Sequence, residues 1–222
     1  MIKRNEIGEI IIDKESVVVK LLRFIIVLLL VFWINSMYAQ SKFKAGIKAG
    51  LCTSQVSGDN ASGFHHFGFT GGGFVKTNFK NEVLSGRIEM LFTQKGSRKT
   101  ADPDNNDYTF YQMDLDYIEI PILFGYKNNK FIFEAGPSIG ALIKSEEYDI
   151  VGPLVYQRAF FKKELGINLG IEYPLTEKLL MNWRLSNSII PIRDHLANTT
   201  FRLNRGQYNT VMTFSINYQF NT

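Results

Sequence analysis

Residues 117–141, YIEIPILFGYKNNKFIFEAGPSIGA, are as apolar as a membrane helix, yet they enclose Glu119 and Glu134 and are interrupted by Pro121 and Pro137. A β-strand reconciles these features, because successive side chains point to opposite faces and one segment can meet two different surroundings. Ile118, Ile120, Ile122 and Phe124 share one parity, while Glu119 lies on the other.

The same period of two runs along the chain from Lys42 onward. Phe43, Ala45, Ile47, Ala49 and Leu51 oppose Lys44, Gly46 and Lys48. Leu84, Ile88, Met90 and Phe92 oppose Arg87 and Glu89, and Leu165, Ile167, Leu169 and Ile171 oppose Glu164, Asn168 and Glu172. Leu179, Met181, Trp183 and Leu185 oppose Asn182 and Arg184, and Met212, Phe214, Ile216, Tyr218 and Phe220 oppose Ser215, Asn217 and Gln219. The pattern predicts eight strands, near 42–51, 65–77, 83–95, 111–126, 131–142, 159–173, 178–189 and 207–220. Two of them alternate poorly. In the second, Phe74 falls on the charged face unless a bulge intervenes; in the fourth, Asp114 and Asp116 share parity with Ile118 and Ile120, so its upper part is expected to project beyond the membrane.

A two-residue turn at Asn128-Asn129 would pair Lys127 with Lys130, Phe124 with Phe133 and Ile122 with Ala135, giving paired numbers that sum to 257. Pro121 and Pro137 each remove a ladder hydrogen bond, which predicts bulges there.

Length and alternation suit both a soluble lipocalin-like barrel and a transmembrane one; the two differ in which face meets solvent. The predicted connections alternate between short ones (78–82, 127–130, 174–178) and long ones (52–64, 96–110, 143–158, 190–206), a habit of membrane barrels. Aromatic residues gather at strand ends: Phe43, Tyr126, Phe131, Tyr173, Tyr218 and Phe220 toward the short turns, and Phe67, Tyr111, Phe160, Phe161 and Tyr208 toward the long loops. The charged face mixes both signs with Gly, Ser and Asn, as a narrow filled interior would. The expected fold is therefore an all-β, eight-stranded antiparallel up-and-down transmembrane β-barrel. Closure leaves no strand edge to face lipid.

Upstream, Lys20 and Arg23 precede the apolar run FIIVLLLVFWI at 24–34, followed by NSMYAQ with Ala39 at a cleavage position. That order describes a signal peptide over residues 1–39 and a mature barrel domain over 40–222. Glu6, Glu9, Asp13 and Glu15 are foreign to a leader, which points to a translation start near Val19 and a mis-annotated stretch at 1–18.

LDYIEIPILFGY followed by FIFEAGPSIGALI, with FKAGIKAGL at the mature start and GINLGIEY later, resembles the Bacteroidetes-type outer-membrane β-barrel family often labelled PorT-like. The similarity spans about residues 41–220. It implies an eight-stranded barrel in the outer membrane, in a family whose members mostly lack an assigned activity.

An eight-stranded barrel is only wide enough for side chains to fill, so inward charges must pair. The expected lumen network comprises Lys44, Lys48, Arg87, Glu89, Glu119, Glu134, Glu164, Glu172 and Arg184, with Arg87 and Arg184 as hubs. His65 and His66 at the outer mouth, or His195 in the last long loop, offer a base to Ser57 or Ser62 with Asp59, in the manner of a lipid hydrolase; nothing recognisable surrounds them. Adjacent strand histidines point to opposite faces and make a poor metal pair. The acid-rich ADPDNNDY at 101–108 matches no EF-hand spacing, and FTGGGFVK lacks the Gly-Lys-Ser/Thr of a phosphate loop. The lone Cys52 excludes an intramolecular disulfide, and a net charge of +4 is too scattered to argue for nucleic acid.

The sequence thus predicts an outer-membrane barrel with a side-chain-filled lumen, no catalytic residues, no metal and no cofactor. Its expected role is structural or binding at the cell surface, accessory to envelope or secretion machinery. The expected partners are outer-membrane lipid, lipopolysaccharide or another envelope protein, and not nucleic acid. The alternatives are a barrel hydrolase acting on lipid or lipopolysaccharide, and a soluble lipocalin-like carrier.

Overall fold

The computed structural model describes residues 43–59, 63–79, 82–154, 158–194 and 206–220. The expected leader, Ser62 and His195 lie outside the described residues. The strands are β1 (Lys44–Ser57), β2 (His66–Asn78), β3 (Leu84–Lys99), β4 (Tyr111–Asn128), β5 (Phe131–Asp149), β6 (Gly152–Pro153), β7 (Lys163–Pro174), β8 (Leu179–Ser188) and β9 (Tyr208–Gln219). Each long strand is antiparallel to its neighbours in the chain, and β1 pairs with β9 from Gly46–Gln219 to Ser57–Tyr208. The result is a closed eight-stranded antiparallel barrel, with the two-residue β6 an appendage on the end of β5.

Faces follow the alternation. Ile47, Leu51, Ile88, Met90, Phe124, Ile139, Leu169, Met181 and Phe214 lie exposed on the outer wall, while Lys48, Arg87, Glu89, Glu134, Glu164, Glu172 and Arg184 are buried inside. That arrangement is the reverse of a soluble carrier.

The hairpin register differs from the expected one. Phe124 pairs with Ala135, Tyr126 with Phe133 and Asn128 with Phe131, so paired numbers sum to 259 and the turn residues are Asn129 and Lys130. Asn129 takes the positive φ of 55°. A slip of two keeps every side chain on its face, which is why the face assignment survives a wrong turn. No bulge forms at the prolines. The β3–β4 ladder omits the Glu89–Pro121 and Met90–Ile120 pairs and the β4–β5 ladder the Ile122–Pro137 and Leu123–Gly136 pairs, and each resumes in the same register. The single shift lies higher, where Tyr117 and Asp116 oppose Leu142 and Lys144, leaving Ile143 as the extra residue.

Phe74 needs no bulge either. The β1–β2 register is unbroken from Lys44–Lys76 to Ser54–His66, so Phe74 points into the lumen, where it is 3% exposed. Its ring lies 4.9 Å beneath the Arg87 guanidinium. The facing residue is Gly46, where a Cβ would sit 2.5 Å from the Phe74 ring and 2.3 Å from the Tyr218 carbonyl oxygen.

The three central strands overrun the others: β3 has 16 residues, β4 has 18 and β5 has 19, against 12, 10 and 12 for β7, β8 and β9. About 9–11 residues cross a bilayer, so the excess stands beyond it at the long-loop end. There the polarity of the wall inverts. Met113, Leu115 and Tyr117 are buried inside with Val56 and Ile192, flanked by Tyr111, Leu142 and Phe160, whereas Asp114, Asp116, Lys144 and Glu146 face outward. The odd parity of Asp114 and Asp116 marks this inversion: the strand keeps its faces, and its surroundings change from lipid to water. For the same reason Tyr111, Phe160 and Tyr208 turn inward rather than joining an outer girdle, leaving Phe67 and Phe161 exposed at that level. At the short-turn end Phe43, Tyr126, Phe131, Tyr218 and Phe220 are exposed as expected, with the Phe131 and Tyr173 rings 5.3 Å apart.

Gly46→Ala should destabilise the barrel by about 1–3 kcal/mol through overpacking. Gly73→Ala, whose Cβ would find only the Gly46 oxygen at 3.7 Å, should be near neutral. Urea midpoints read from the folded and unfolded bands on unheated gels distinguish the two.

Candidate functional site

The lumen charges form three tiers. In the lowest, near the short turns, four cations (Lys48, Lys76, Arg87 and Arg184) meet three carboxylates (Glu89, Glu134 and Glu172). Arg184 grips both oxygens of Glu89 at 2.6 and 2.9 Å and reaches Glu134 at 3.4 Å. Arg87 contacts Glu134 at 3.0 Å, Glu89 at 3.5 Å and Glu172 by a short contact. Lys76 holds the other Glu172 oxygen at 2.9 Å, and Lys48 lies 3.6 Å from Glu89. Amides occupy remaining lone pairs and donors: Asn182 donates to Glu134 at 3.0 Å and accepts from Lys48 at 3.1 Å, and Asn217 donates to Glu172 at 2.8 Å.

The second tier carries the opposite imbalance. Lys95 bridges Glu119 at 2.7 Å and Glu164 at 2.6 Å, Asn209 donates to Glu164 at 2.5 Å, and the Lys95 ammonium sits 4.8 Å over the Tyr117 ring. One excess cation below thus faces one excess carboxylate above. Between them lies a cavity of about 10 Å³ lined by Lys48, Glu119 and Arg184 together with Thr70, Thr93 and Leu91, room for about one water.

The apolar cluster closes the lumen above the second tier. On it rests the third tier, in which Arg193 holds both Glu147 oxygens at 2.7 and 2.8 Å and donates to Gln207 at 2.6 Å. The Tyr111 hydroxyl also donates to Glu147, and the Arg193 guanidinium lies 4.4 Å over Phe160.

Of the nine charges expected in the lumen, Lys48, Arg87, Glu89, Glu119, Glu134, Glu164, Glu172 and Arg184 are buried there. Lys44 is not: it is exposed at the short-turn mouth and forms no ion pair among the described residues, because β1 has only just begun at that level. Lys76, Lys95, Glu147 and Arg193 also belong to the interior and stand outside the expected network. Lys76 follows the glycine triplet that hides the alternation of β2. Lys95 stands at the predicted end of its strand, although β3 continues to Lys99. Glu147 and Arg193 lie in the stretches 143–158 and 190–206, which the sequence pattern predicts as loops.

The histidines separate. His65 is exposed, whereas His66 is 6% exposed. His66 Nδ1 lies 3.2 Å from Ser54 Oγ and Nε2 lies 2.8 Å from Asp114 Oδ1. These partners replace the expected Ser57, Ser62 and Asp59. Ser54 Oγ also donates to the Gly96 carbonyl at 3.0 Å and accepts from the Gly96 amide at 2.9 Å, and Cys52 Sγ donates to the Gln94 carbonyl at 3.0 Å. These side chains cover the β3 edge where the β2–β3 ladder has ended at Thr70–Thr93. In the acid-rich loop, Asp102 bridges Asp107 across a turn at Pro103–Asn105. Hydrogen bonds from Lys99 and then from Thr109 hold the exposed Asp107 carboxyl well below the usual carboxylate range. Among the described residues no group of three or more His, Cys, Asp or Glu side chains is placed to hold a metal ion.

Arg184→Leu leaves Glu89 with a weakened set of cations in a closed interior and should cost about 3–5 kcal/mol; Arg184→Leu with Glu89→Leu should recover much of that loss. A double-mutant cycle of urea midpoints measures the coupling, and strict additivity would contradict the pairing.

No curated protein matches the chain. Among solved structures it resembles Ail, the attachment invasion locus protein of Yersinia pestis, at 12% identity and a TM-score of 0.48, over 81% of this chain and 99% of that one. It also resembles Neisserial surface protein A, at 12% identity and 0.45 over 80% and 97%. OprG from Pseudomonas aeruginosa aligns at 13% identity and 0.39 over 82% and 98%. The outer membrane protein beta-barrel domain family matches residues 38–194, and the chain belongs to that family and resides in the outer membrane.

Proposed function

We propose that this protein is a non-conducting outer-membrane scaffold that binds partners through its long-loop end. The observation that carries the reading is the filled lumen: two paired charge tiers, a cavity for about one water between them, and a buried apolar layer above. The long loops face the cell exterior and the short turns the periplasm, following the usual asymmetry of such barrels. The PorT-like resemblance of LDYIEIPILFGY and FIFEAGPSIGALI favours a role alongside envelope or secretion machinery, with outer-membrane lipid, lipopolysaccharide or another envelope protein as partner. Planar bilayers containing the refolded barrel should show no steady conductance step. A large, stable step would contradict the scaffold reading.

The second reading, a lipid hydrolase, rests on the Ser54–His66–Asp114 contact chain. Ser54 is 1% exposed and its hydroxyl is held between the amide and the carbonyl of Gly96, so an ester has no approach to it, and the contact chain serves as a structural tie between strands. A fluorophosphonate probe should leave the folded protein unlabelled; labelling abolished by Ser54→Ala would favour the hydrolase.

A further inference from the structure

Among the described residues the barrel wall has a gap at its long-loop end. The β5–β7 ladder stops at Ala141–Lys163, and β5 does not pair on that side again until Tyr148–Pro153. Across the intervening stretch the described residues provide two backbone hydrogen bonds, Leu142 to Lys162 at 2.9 Å and Leu154 to Glu147 at 2.9 Å. A cavity of about 310 Å³ opens in this gap, at the lower end of the size range of small-molecule sites.

Its lining combines two chemistries. Leu142, Ile143, Leu154 and Phe160 supply apolar wall, and Lys144, Arg158 and Lys162 supply cations. The one carboxylate among the lining residues, Glu147, already has both oxygens bound by Arg193 from within the barrel. Among the described residues Lys144 pairs only with Glu146, and that contact is exposed, so its ammonium can turn to another anion at little cost. Lys162 makes no ion pair among the described residues. Lys144 and Lys162 therefore offer positive charge beside apolar surface, and Arg158 lines the same cavity.

Its height in the wall matters as well. Ile143, 58% exposed, is the last outward apolar residue of β5, and Lys144 and Glu146 beyond it face water. Phe161, also exposed, borders the gap from the other side. The cations thus stand where hydrocarbon gives way to headgroups.

We propose that this gap binds a phosphorylated amphiphile of the surrounding leaflet, its phosphate held by Lys144, Arg158 and Lys162 and the start of its acyl chains laid against Ile143, Leu154 and Phe160. The outward location of that leaflet rests on the orientation proposed above; the site itself does not.

The test is native mass spectrometry of the full chain released from neutral detergent, with didecanoyl phosphatidic acid as probe. One phosphatidic acid should remain bound per barrel, didecanoylglycerol should not, and inorganic phosphate at the same concentration should fail to displace the lipid. Lys144→Gln/Arg158→Gln/Lys162→Gln should reduce the bound fraction about tenfold or more, whereas Lys127→Gln/Lys130→Gln/Lys178→Gln at the opposite end should leave it unchanged. Should the first triple variant fail to fold, Lys162→Gln alone is expected to cost about threefold. Equal loss in both triple variants, equal retention of the uncharged lipid, or full displacement by inorganic phosphate overturns the proposal. Orientation plays no part in detergent, so failure there removes the site and leaves the scaffold reading to be decided by conductance.

Discussion

The contacts of Arg87 and Arg184 with Glu89, Glu134 and Glu172 are the interaction on which the rest of this structure depends. Each of the eight long strands contributes an apolar outer face that lipid accepts readily, but the inner faces bring seven charged side chains of the lowest tier into a space too narrow for bulk water. Unpaired, each would cost several kcal/mol. Paired across the lumen, they join β1, β2, β3, β5, β7 and β8 from the inside, at right angles to the ladder hydrogen bonds that join neighbours. The planar guanidinium suits this task because one group reaches carboxylates on several strands. Phe74 completes the tier by lying under Arg87 in the room left by Gly46.

The imbalance between tiers extends that logic along the barrel axis. The lowest tier holds one cation more than its carboxylates, and the tier built on Lys95 holds one carboxylate more than its cations. The two excess charges face a common cavity, so neutrality is reached across the waist rather than within either tier. Above them the interior turns apolar and the wall turns polar, which lets β3, β4 and β5 leave the bilayer without exposing their apolar residues to water. The gap between β5 and β7 falls at this same transition, where the wall leaves the hydrocarbon and water or headgroups can satisfy a backbone that an unbroken ladder must satisfy deeper in the bilayer.

Much of this was legible in the sequence because period two is a strong signal wherever one face is greasy and the other charged. The eight strands, the faces of Ile118 to Phe124, and eight of the lumen charges came from parity alone. The errors have physical causes. A turn at Asn128-Asn129 and one at Asn129-Lys130 differ by a slip of two, to which face patterning is blind. Pro121 and Pro137 were accommodated by missing ladder bonds rather than by bulges, a choice that depends on which strand edge each ring meets. Beyond Leu51 and Leu142 the inward and outward residues become similar in polarity, so β1 and β5 appeared to end six and seven residues before they do. Lys95, Glu147 and Arg193 sit in that region. Phe74 defeats any rule that sends aromatics to lipid, because its partner is a cation on the neighbouring strand.

Trp183 and Arg184 are neighbours in β8 assigned to opposite sides of the wall, Trp183 at 39% exposure beside Phe214 and Arg184 buried against Glu89. With Trp33 replaced by phenylalanine, Trp183 is the only tryptophan in the chain. The most direct measurement is quenching of its fluorescence in vesicles, by lipids brominated along their acyl chains and by aqueous iodide. Strong quenching by the brominated lipids with little effect of iodide is the predicted result. Quenching by iodide in vesicles whose bromine atoms leave the emission untouched would place the greasy face away from the bilayer and contradict the account.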